Sequence, residues 1–339
     1  MLGSCDVSLS SRYDLAVLDL DGVVYVGPQA VPGAPGHLSR AREAGMALAF
    51  VTNNAARTPG SVAEHLRSLG VEAAPEDVVT SAQAASRLLA EDLEPGAPVY
   101  VIGGEGLYQA LEEQGLRALT SLDGAEPQAV VQGYGPQMPW RQVVMGAILV
   151  ARGLRWVATN TDATIPTDVG IGPGNGALVD LVARFSEREP EVAGKPESPL
   201  FRETLIRVGG ERPLMVGDRL DTDILGARRL GWDSLVVLTG VTDLATLVAA
   251  PPDQRPTYVA ADLAGLAEPQ PAPEPAAGGE RVELGGWSAE VAQGELVVSG
   301  DGSADDWWRV VASAGWSHLD SSGEPVAVAG LQPPAGRGH

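Results

Sequence analysis

Three short apolar runs lie far apart in the chain, each stopping at a hydroxyl or carboxylate cluster, and this repeated ending is what most constrains the fold. Tyr13 to Leu18 (YDLAVL) ends at Asp19, Met46 to Val51 at Thr52-Asn53-Asn54, and Pro213 to Val216 at Gly217-Asp218. Runs this short and this rich in branched residues fit strands buried on both faces, the kind found in a parallel sheet covered by helices. Helical stretches alternate with them over residues 36–44, from Thr58-Pro59 to Leu69, and over 198–208 and 222–230; a further strand at 233–238 ends at Thr239-Gly240. Thr58-Pro59 is a cap followed by a first-turn proline, and Gly70 closes that helix. In an open parallel sheet the strand ends meet at the crevice where strand order reverses. The expected fold class is α/β with a Rossmann-like core.

From residue 80 to 190 the alternation repeats with other loops. Helices are expected at 81–90, 105–114 and 139–152, and strands at 98–102, 128–132 and 155–159. This block carries few reactive side chains, so it reads as an inserted α/β domain for covering and recognition. The segment EPQPAPEPAAGG at 268–279 has the composition of a semi-rigid linker. Beyond it, VAQGELVVSG reads as a hairpin strand and Asp306 to Ala314 has helical spacing. The expected organisation is a core of 11–79 plus 190–265, an insert of 80–189, a linker of 266–280 and a small α+β module of 281–339 that docks on the rest, being too short for a robust core of its own.

Hydrophobic residues make up 44 % of the chain and charged residues 20 %, a balance that folds. With 44 acidic and 23 basic residues the formal charge is -21, which repels nucleic acid and anionic bilayers. An anionic substrate therefore needs a local positive island. Cys5 is the only cysteine, which excludes an intrachain disulfide and a thiolate metal cluster and suits a reducing compartment. No leader pattern and no long apolar stretch stands out, so a cytoplasmic location is expected.

Asp19 and Asp21 bracket one residue at a buried strand end, and Gly22 allows a tight turn there. Two carboxylates this close favour a shared proton or a bound cation. Asp218, Asp221 and Asp223 form a second acidic cluster; Asp218 is the better metal candidate, Asp221 suits a helix cap, and Asp223 can hold the geometry from behind. Lys195 is the sole lysine among 23 basic residues, which points to a role that a compact ammonium fills and a guanidinium does not, such as contact with a phosphoryl oxygen, with chance or a surface salt bridge as the alternative. Thr52-Asn53-Asn54 offers a hydroxyl and backbone N–H groups for cradling a phosphate, although such clusters also make ordinary turns. His37 and His65 read as surface helix residues, and His318 and His339 show no ligand spacing. Gly103-Gly104 and GPGNG at 172–176 lack the dinucleotide and Walker patterns and read as turns, the latter leading into a helix.

Taken in order, Asp19-Leu20-Asp21-Gly22, Thr52-Asn53-Asn54, Gly194-Lys195-Pro196 and Gly217-Asp218-Arg219-Leu220-Asp221-Thr222-Asp223 resemble the four motifs of the haloacid dehalogenase superfamily. They are most similar to the branch of N-acetylglucosamine-6-phosphate, pyridoxal phosphate and phosphoglycolate phosphatases, over residues 13–262. The resemblance implies a phosphomonoesterase that uses Mg2+. It makes Asp19 the nucleophile, Asp21 the general acid and base, and Asp19, Asp218 and the backbone carbonyl of Asp21 the metal ligands. Asp223 would support them, Thr52, Asn53 and Lys195 would bind phosphate, and Ala158-Thr159-Asn160-Thr161-Asp162 would form the return from a large cap, with Asn160 and Asp162 facing substrate.

The tail is an addition to that branch. It resembles the small acetyltransferase-like module of actinobacterial glycerol-3-phosphate phosphatases, as do VVTSAQ at 78–83, GVT at 240–242 and RPTY at 255–258, but it shows no complete acyl-CoA phosphate loop. The resemblance favours glycerol 3-phosphate as substrate, with phosphoglycolate and sugar phosphates as alternatives, and a monomer or homodimer. A reading from another class makes the core an idle scaffold and Trp307, Trp308 and Trp316 an interaction surface.

Overall fold

The structure is a computed structural model that describes residues 2–167, 170–276 and 281–334. His339, residues 277–280 of the expected linker and the last residues of the tail lie outside the described residues. The chain forms two compact units, Met1–Leu48, Leu69–Glu72 and Gly210–His339 in the first, Ala49–Ser68 and Ala73–Gly209 in the second. Residues 49–68, 73–79 and 190–209, which the sequence reading assigns to the core, fall in the second of these units.

In the first unit four parallel strands run in the order Tyr258–Ala260, Asp233–Val237, Pro213–Gly217, Leu15–Leu18. Leu18 stands opposite Val216, Gly217 opposite Val236 and Val237 opposite Ala260. All four residues of Leu15–Leu18 are buried, as an apolar run covered on both faces requires. Tyr13 falls outside this strand; its hydroxyl donates to Asp233 at 2.7 Å and meets the Tyr258 hydroxyl at 2.9 Å. The helix Ala34–Glu43 follows Gly33, which adopts φ 77, and buries His37, Leu38 and Ala41. His37 is thus not a surface residue: it is 5 % exposed, and its Nδ1 lies 2.5 Å from Arg40 Nη2.

The expected single helix at 222–230 is divided into a wide helical turn, Leu220–Ile224, and a short helix, Leu225–Arg229. Asp221 lies in the first turn rather than at the cap, which is Arg219.

Strand Ala47–Thr52 passes from the first unit into the second, where Phe50 pairs with Val78 and Thr52 with Thr80. Val78–Thr80 leads into the helix Ser81–Ala90 through a reciprocal cap: Gln83 N donates to Thr80 Oγ1 at 3.3 Å, and Gln83 Oε1 accepts from Thr80 N at 3.0 Å. The same unit holds a five-stranded sheet, in the order Glu191–Val192, Arg155–Ala158, Ala129–Gln132, Pro98–Ile102, Arg117–Leu119. Helices Glu105–Glu113, Trp140–Ala151 and Asn175–Ser186 accompany it, and the GPGNG turn does open the last of these. A hairpin of Thr164–Thr167 and Gly170–Pro173 was not expected, since its glycines and prolines break the alternation that marks a strand.

The tail builds an antiparallel sheet, Glu274–Pro275, Arg281–Leu284, Trp287–Ala292 and Glu295–Gly300, and one long helix, Ala304–Ser322. Ser303 caps that helix, its Oγ accepting from Asp306 N at 3.1 Å, and Gly323 ends it at φ 80. It runs eight residues beyond Ala314, because Gly315 and Trp316 are buried and packing outweighs a weak local propensity. The described part of the proline-rich segment is more than a spacer. Gln270 is 1 % exposed, exchanges two 2.8 Å backbone hydrogen bonds with Cys5 and accepts from Arg309 at 2.7 Å. Trp307, Trp308 and Trp316 are all buried, which removes them as an interaction surface.

No helix among the described residues is long and apolar enough to cross a membrane.

Candidate active site

Asp19 follows the strand Leu15–Leu18, and its N–H donates to Val216 O at 2.9 Å, which carries the parallel ladder one residue further. Asp218 follows the neighbouring strand Pro213–Gly217. Adjacent parallel strands thus deliver two carboxylates to one edge. Asp223 joins them from the helical turn Leu220–Ile224, and ligand oxygens of Asp19, Asp218 and Asp223 all lie within 4.8 Å of one another.

Glycine is required around this cluster. A Cβ on Gly22, at φ +83, or on Gly240 would enter the space of the Asp218 carboxylate, and one on Gly217 would strike Asp223. Asp218 is 1 % exposed. Its Oδ2 accepts from Val241 N at 2.7 Å, while its backbone carbonyl accepts from Thr242 N at 3.1 Å and Thr242 Oγ1 at 2.6 Å. Thr239 Oγ1 donates to Gly22 O at 2.5 Å, tying the loop after Asp233–Val237 to the turn that follows Asp21. Asp223 is fully buried, and its Oδ2 accepts from Arg219 N at 3.1 Å.

Three converging carboxylates, two of them buried, are costly without a cation, and an all-oxygen donor set suits a hard divalent ion. The residues present therefore fit Mg2+. Asp223 thus lies in the same group of acids as Asp19 and Asp218, as a residue expected to support them must. Asp21 is exposed at the turn, where Gly22 N donates to Tyr25 O at 2.8 Å. Asp221 is committed to Arg219, which donates to it at 2.8 and 3.1 Å.

In the second unit another set of predicted residues comes together. Thr52 ends its strand nearly buried, and its Oγ1 accepts from Asn54 N at 3.0 Å. Asn53 Oδ1 accepts from Lys195 N at 2.8 Å, and Asn53 Nδ2 donates to Lys195 O at 3.1 Å and to Asp162 Oδ2 at 3.2 Å. Asn160 Nδ2 donates to Asn53 O at 2.6 Å, and Asn160 Oδ1 accepts from Asp162 N at 3.1 Å. Lys195 is 3 % exposed. The side chain of Asn53 is therefore used to position Lys195 and Asp162, and Asn160 braces Asn53 from behind.

Further residues, to which the sequence assigns no role in the site, hold this framework. Ser81 Oγ donates to Asn53 O at 2.6 Å, and Asn175 Nδ2 donates to Asn160 O at 2.7 Å. Gly194 has no room for a side chain beside Thr159 O and Asn53 Oδ1. Each lies in a string that stands out in the sequence, VVTSAQ, GPGNG and Gly194-Lys195-Pro196, but the strings alone assign none of the three a part in the site.

Comparison with known proteins agrees with this construction. Residues 16–117 match the model of haloacid dehalogenase-like hydrolases, and residues 192–266 match a second model of the same family. The chain is 40 % identical over 322 residues to D-glycerol 3-phosphate phosphatase of Mycobacterium tuberculosis, covering 91 % of this chain and 87 % of that protein. It is 35 % identical over 254 residues to acid sugar phosphatase of Staphylococcus aureus, covering 74 % and 96 %. Among solved structures, glycerol phosphate phosphatase from M. tuberculosis in complex with magnesium superimposes with a TM-score of 0.84 at 39 % identity, covering 95 % of this chain and 94 % of that one. The same enzyme in complex with calcium gives 0.82, covering 96 % and 93 %. The strand-end acids and these matches lead to one conclusion: the chain belongs to the haloacid dehalogenase-like hydrolases, as a phosphatase.

Proposed function

We propose that this chain hydrolyses glycerol 3-phosphate through a phosphorylated Asp19, with Mg2+ bound by Asp19, Asp218 and the backbone carbonyl of Asp21 and with Asp223 supporting them. The observation that carries the reading is the convergence of Asp19, Asp218 and Asp223 within 4.8 Å at a strand edge. The metal would supply charge compensation for the phosphoryl oxygens.

The chain's own groups account for the steps. A carboxylate oxygen of Asp19 attacks phosphorus in line while the bond from phosphorus to the alkoxide oxygen breaks. Asp21 gives its proton to that alkoxide, then takes one from the water that releases inorganic phosphate and restores Asp19. Lys195 and Thr52 are assigned to binding phosphoryl oxygens. This supplies the local positive charge that the surplus of acidic residues makes necessary. Asn53 is assigned a supporting role through Lys195, and Asn160 and Asp162 a place near the substrate.

The substrate choice rests on coverage. The M. tuberculosis glycerol 3-phosphate phosphatase aligns with 91 % of the chain, whereas the acid sugar phosphatase aligns with 74 %. Sugar phosphates are therefore the second reading. A cytoplasmic site of action suits the single cysteine, Cys5, which is buried.

Phosphate release from a panel of glycerol 3-phosphate, phosphoglycolate and sugar phosphates tests the assignment. The highest kcat/KM is expected for glycerol 3-phosphate. Turnover of a sugar phosphate with none of glycerol 3-phosphate would pass the assignment to the second reading.

A further inference from the structure

The C-terminal helix Ala304–Ser322 packs against the short helix that follows the loop holding Asp218, and shares a buried cluster with the turn that carries Asp223. Trp316 Nε1 donates to Leu247 O at 2.7 Å in the short helix Leu244–Val248. Gly315 rests directly on Val248, and a Cβ there would stand 2.6 Å from Val248 Cβ. Arg255 locks the contact: it donates to Ala250 O at 2.9 Å, pairs with both oxygens of Asp320 at 2.8 Å and lies 5.5 Å from the centre of the Trp316 ring. The gripped helix begins just after Val241 and Thr242, the residues that hold Asp218.

Leu220 and Ile224, which flank Asp223, share one buried cluster with Trp307, Trp308, Val310, Val311 and Trp316. Two further ties fix the same helix to the sheet, Arg309 Nε to Val259 O at 3.1 Å and Asp305 Oδ1 accepting from Ala261 N at 2.7 Å.

We propose that the C-terminal helix is a positioning element for the metal centre: through Gly315 and Trp316 it sets the placement of Asp218, and through its apolar face that of Asp223, and so determines how tightly Mg2+ binds. The inference rests on the reading that these acids hold Mg2+. It gives the tail a role in the reaction without requiring it to bind a ligand. Gly315 and Trp316 touch neither substrate nor metal, so their effect must pass through the carboxylates.

The test is calorimetric titration of the full chain with Mg2+, without substrate, for wild type, Trp316→Phe, Gly315→Ala and Leu149→Ala. Trp316→Phe deletes the N–H together with the five-membered ring and keeps an aromatic side chain in the buried position. Leu149 belongs to a buried cluster of the second unit, so its truncation controls for general loss of stability. The expected result is Mg2+ binding weaker in Trp316→Phe by at least about fivefold, the factor that about 1 kcal/mol of lost hydrogen bonding supports before the lost ring packing is added, and weaker also in Gly315→Ala, with Leu149→Ala as wild type. At saturating Mg2+, kcat should return to the wild-type value in both tail variants.

Unchanged Mg2+ affinity in the two tail variants would overturn the inference and leave the helix a stabiliser only. So would an equal loss in Leu149→Ala. Failure of the wild type to bind Mg2+, or undiminished binding by Asp218→Asn, would strike instead at the metal site beneath it.

Discussion

Asn53 holds the backbone of Lys195 from both sides, its Oδ1 accepting from Lys195 N at 2.8 Å and its Nδ2 donating to Lys195 O at 3.1 Å. Residues 142 positions apart are joined by a single amide, and the only lysine of the chain is fixed by its main chain, leaving its stem and ammonium to be directed by their surroundings.

Asn53→Ala should consequently lower kcat/KM by about tenfold, since both hydrogen bonds to the Lys195 backbone and the one to Asp162 are lost without loss of the ammonium. Lys195→Ala should cost about 10²- to 10³-fold, the range for removing one preorganised donor to a developing anion. Lys195→Arg should not restore the rate, because a planar guanidinium does not replace a compact ammonium in a buried position. Steady-state phosphate release measures all three.

Asp19→Asn should abolish turnover of any phosphomonoester and leave the thermal midpoint close to that of wild type. Intact-protein mass spectrometry after acid quenching should find a phosphorylated wild-type chain and none in the variant. Near wild-type turnover by a folded variant would remove Asp19 as nucleophile.

Removing metal with a chelator should stop hydrolysis and lower the thermal midpoint, and added Mg2+ should restore both, because a ligand that binds only the folded state stabilises it by mass action. Gly240→Ala should imitate chelation. Its new methyl enters the space of the Asp218 carboxylate, so the variant should respond weakly to Mg2+ in the same thermal assay.

Acid should weaken the second unit at an identified pair. Glu191 accepts from Arg155 at 2.8 and 2.9 Å, and this hydrogen bonding, opposed in part by burial, holds its carboxyl below the usual carboxylate range. A carboxylate with a depressed folded value contributes stability above its unfolded value and loses it as pH falls through the folded one. The melting temperature of Glu191→Gln should therefore fall below that of wild type near neutral pH and converge with it below the ordinary carboxylate range. Thermal melts across that interval give the check; a constant gap at all pH values would contradict it.

Much of this molecule is legible from local pattern. The apolar runs before Asp19 and Asp218 are too short and too branched to be other than buried strands, and their polar ends identify the reactive edge. Ser81–Ala90, Pro98–Ile102 and Ser198–Val208 coincide with the expected elements because caps and periodicity are read within a few residues. By itself the sequence determined the α/β class, the acids, the sole lysine and a chemistry of phosphoryl transfer.

What tertiary structure decided depends on residues distant in the chain. That Asp223 joins Asp19 and Asp218, that Asn53 clamps Lys195, that His37 is buried and that Gly315 seats the tail helix against Val248 are all outcomes of long-range packing. The physical reason is that periodicity and caps record a residue's relation to its own helix or strand. A hydrogen bond between Asn53 and Lys195, or a void the size of one methyl group, is specified only when separate elements close on each other at atomic density.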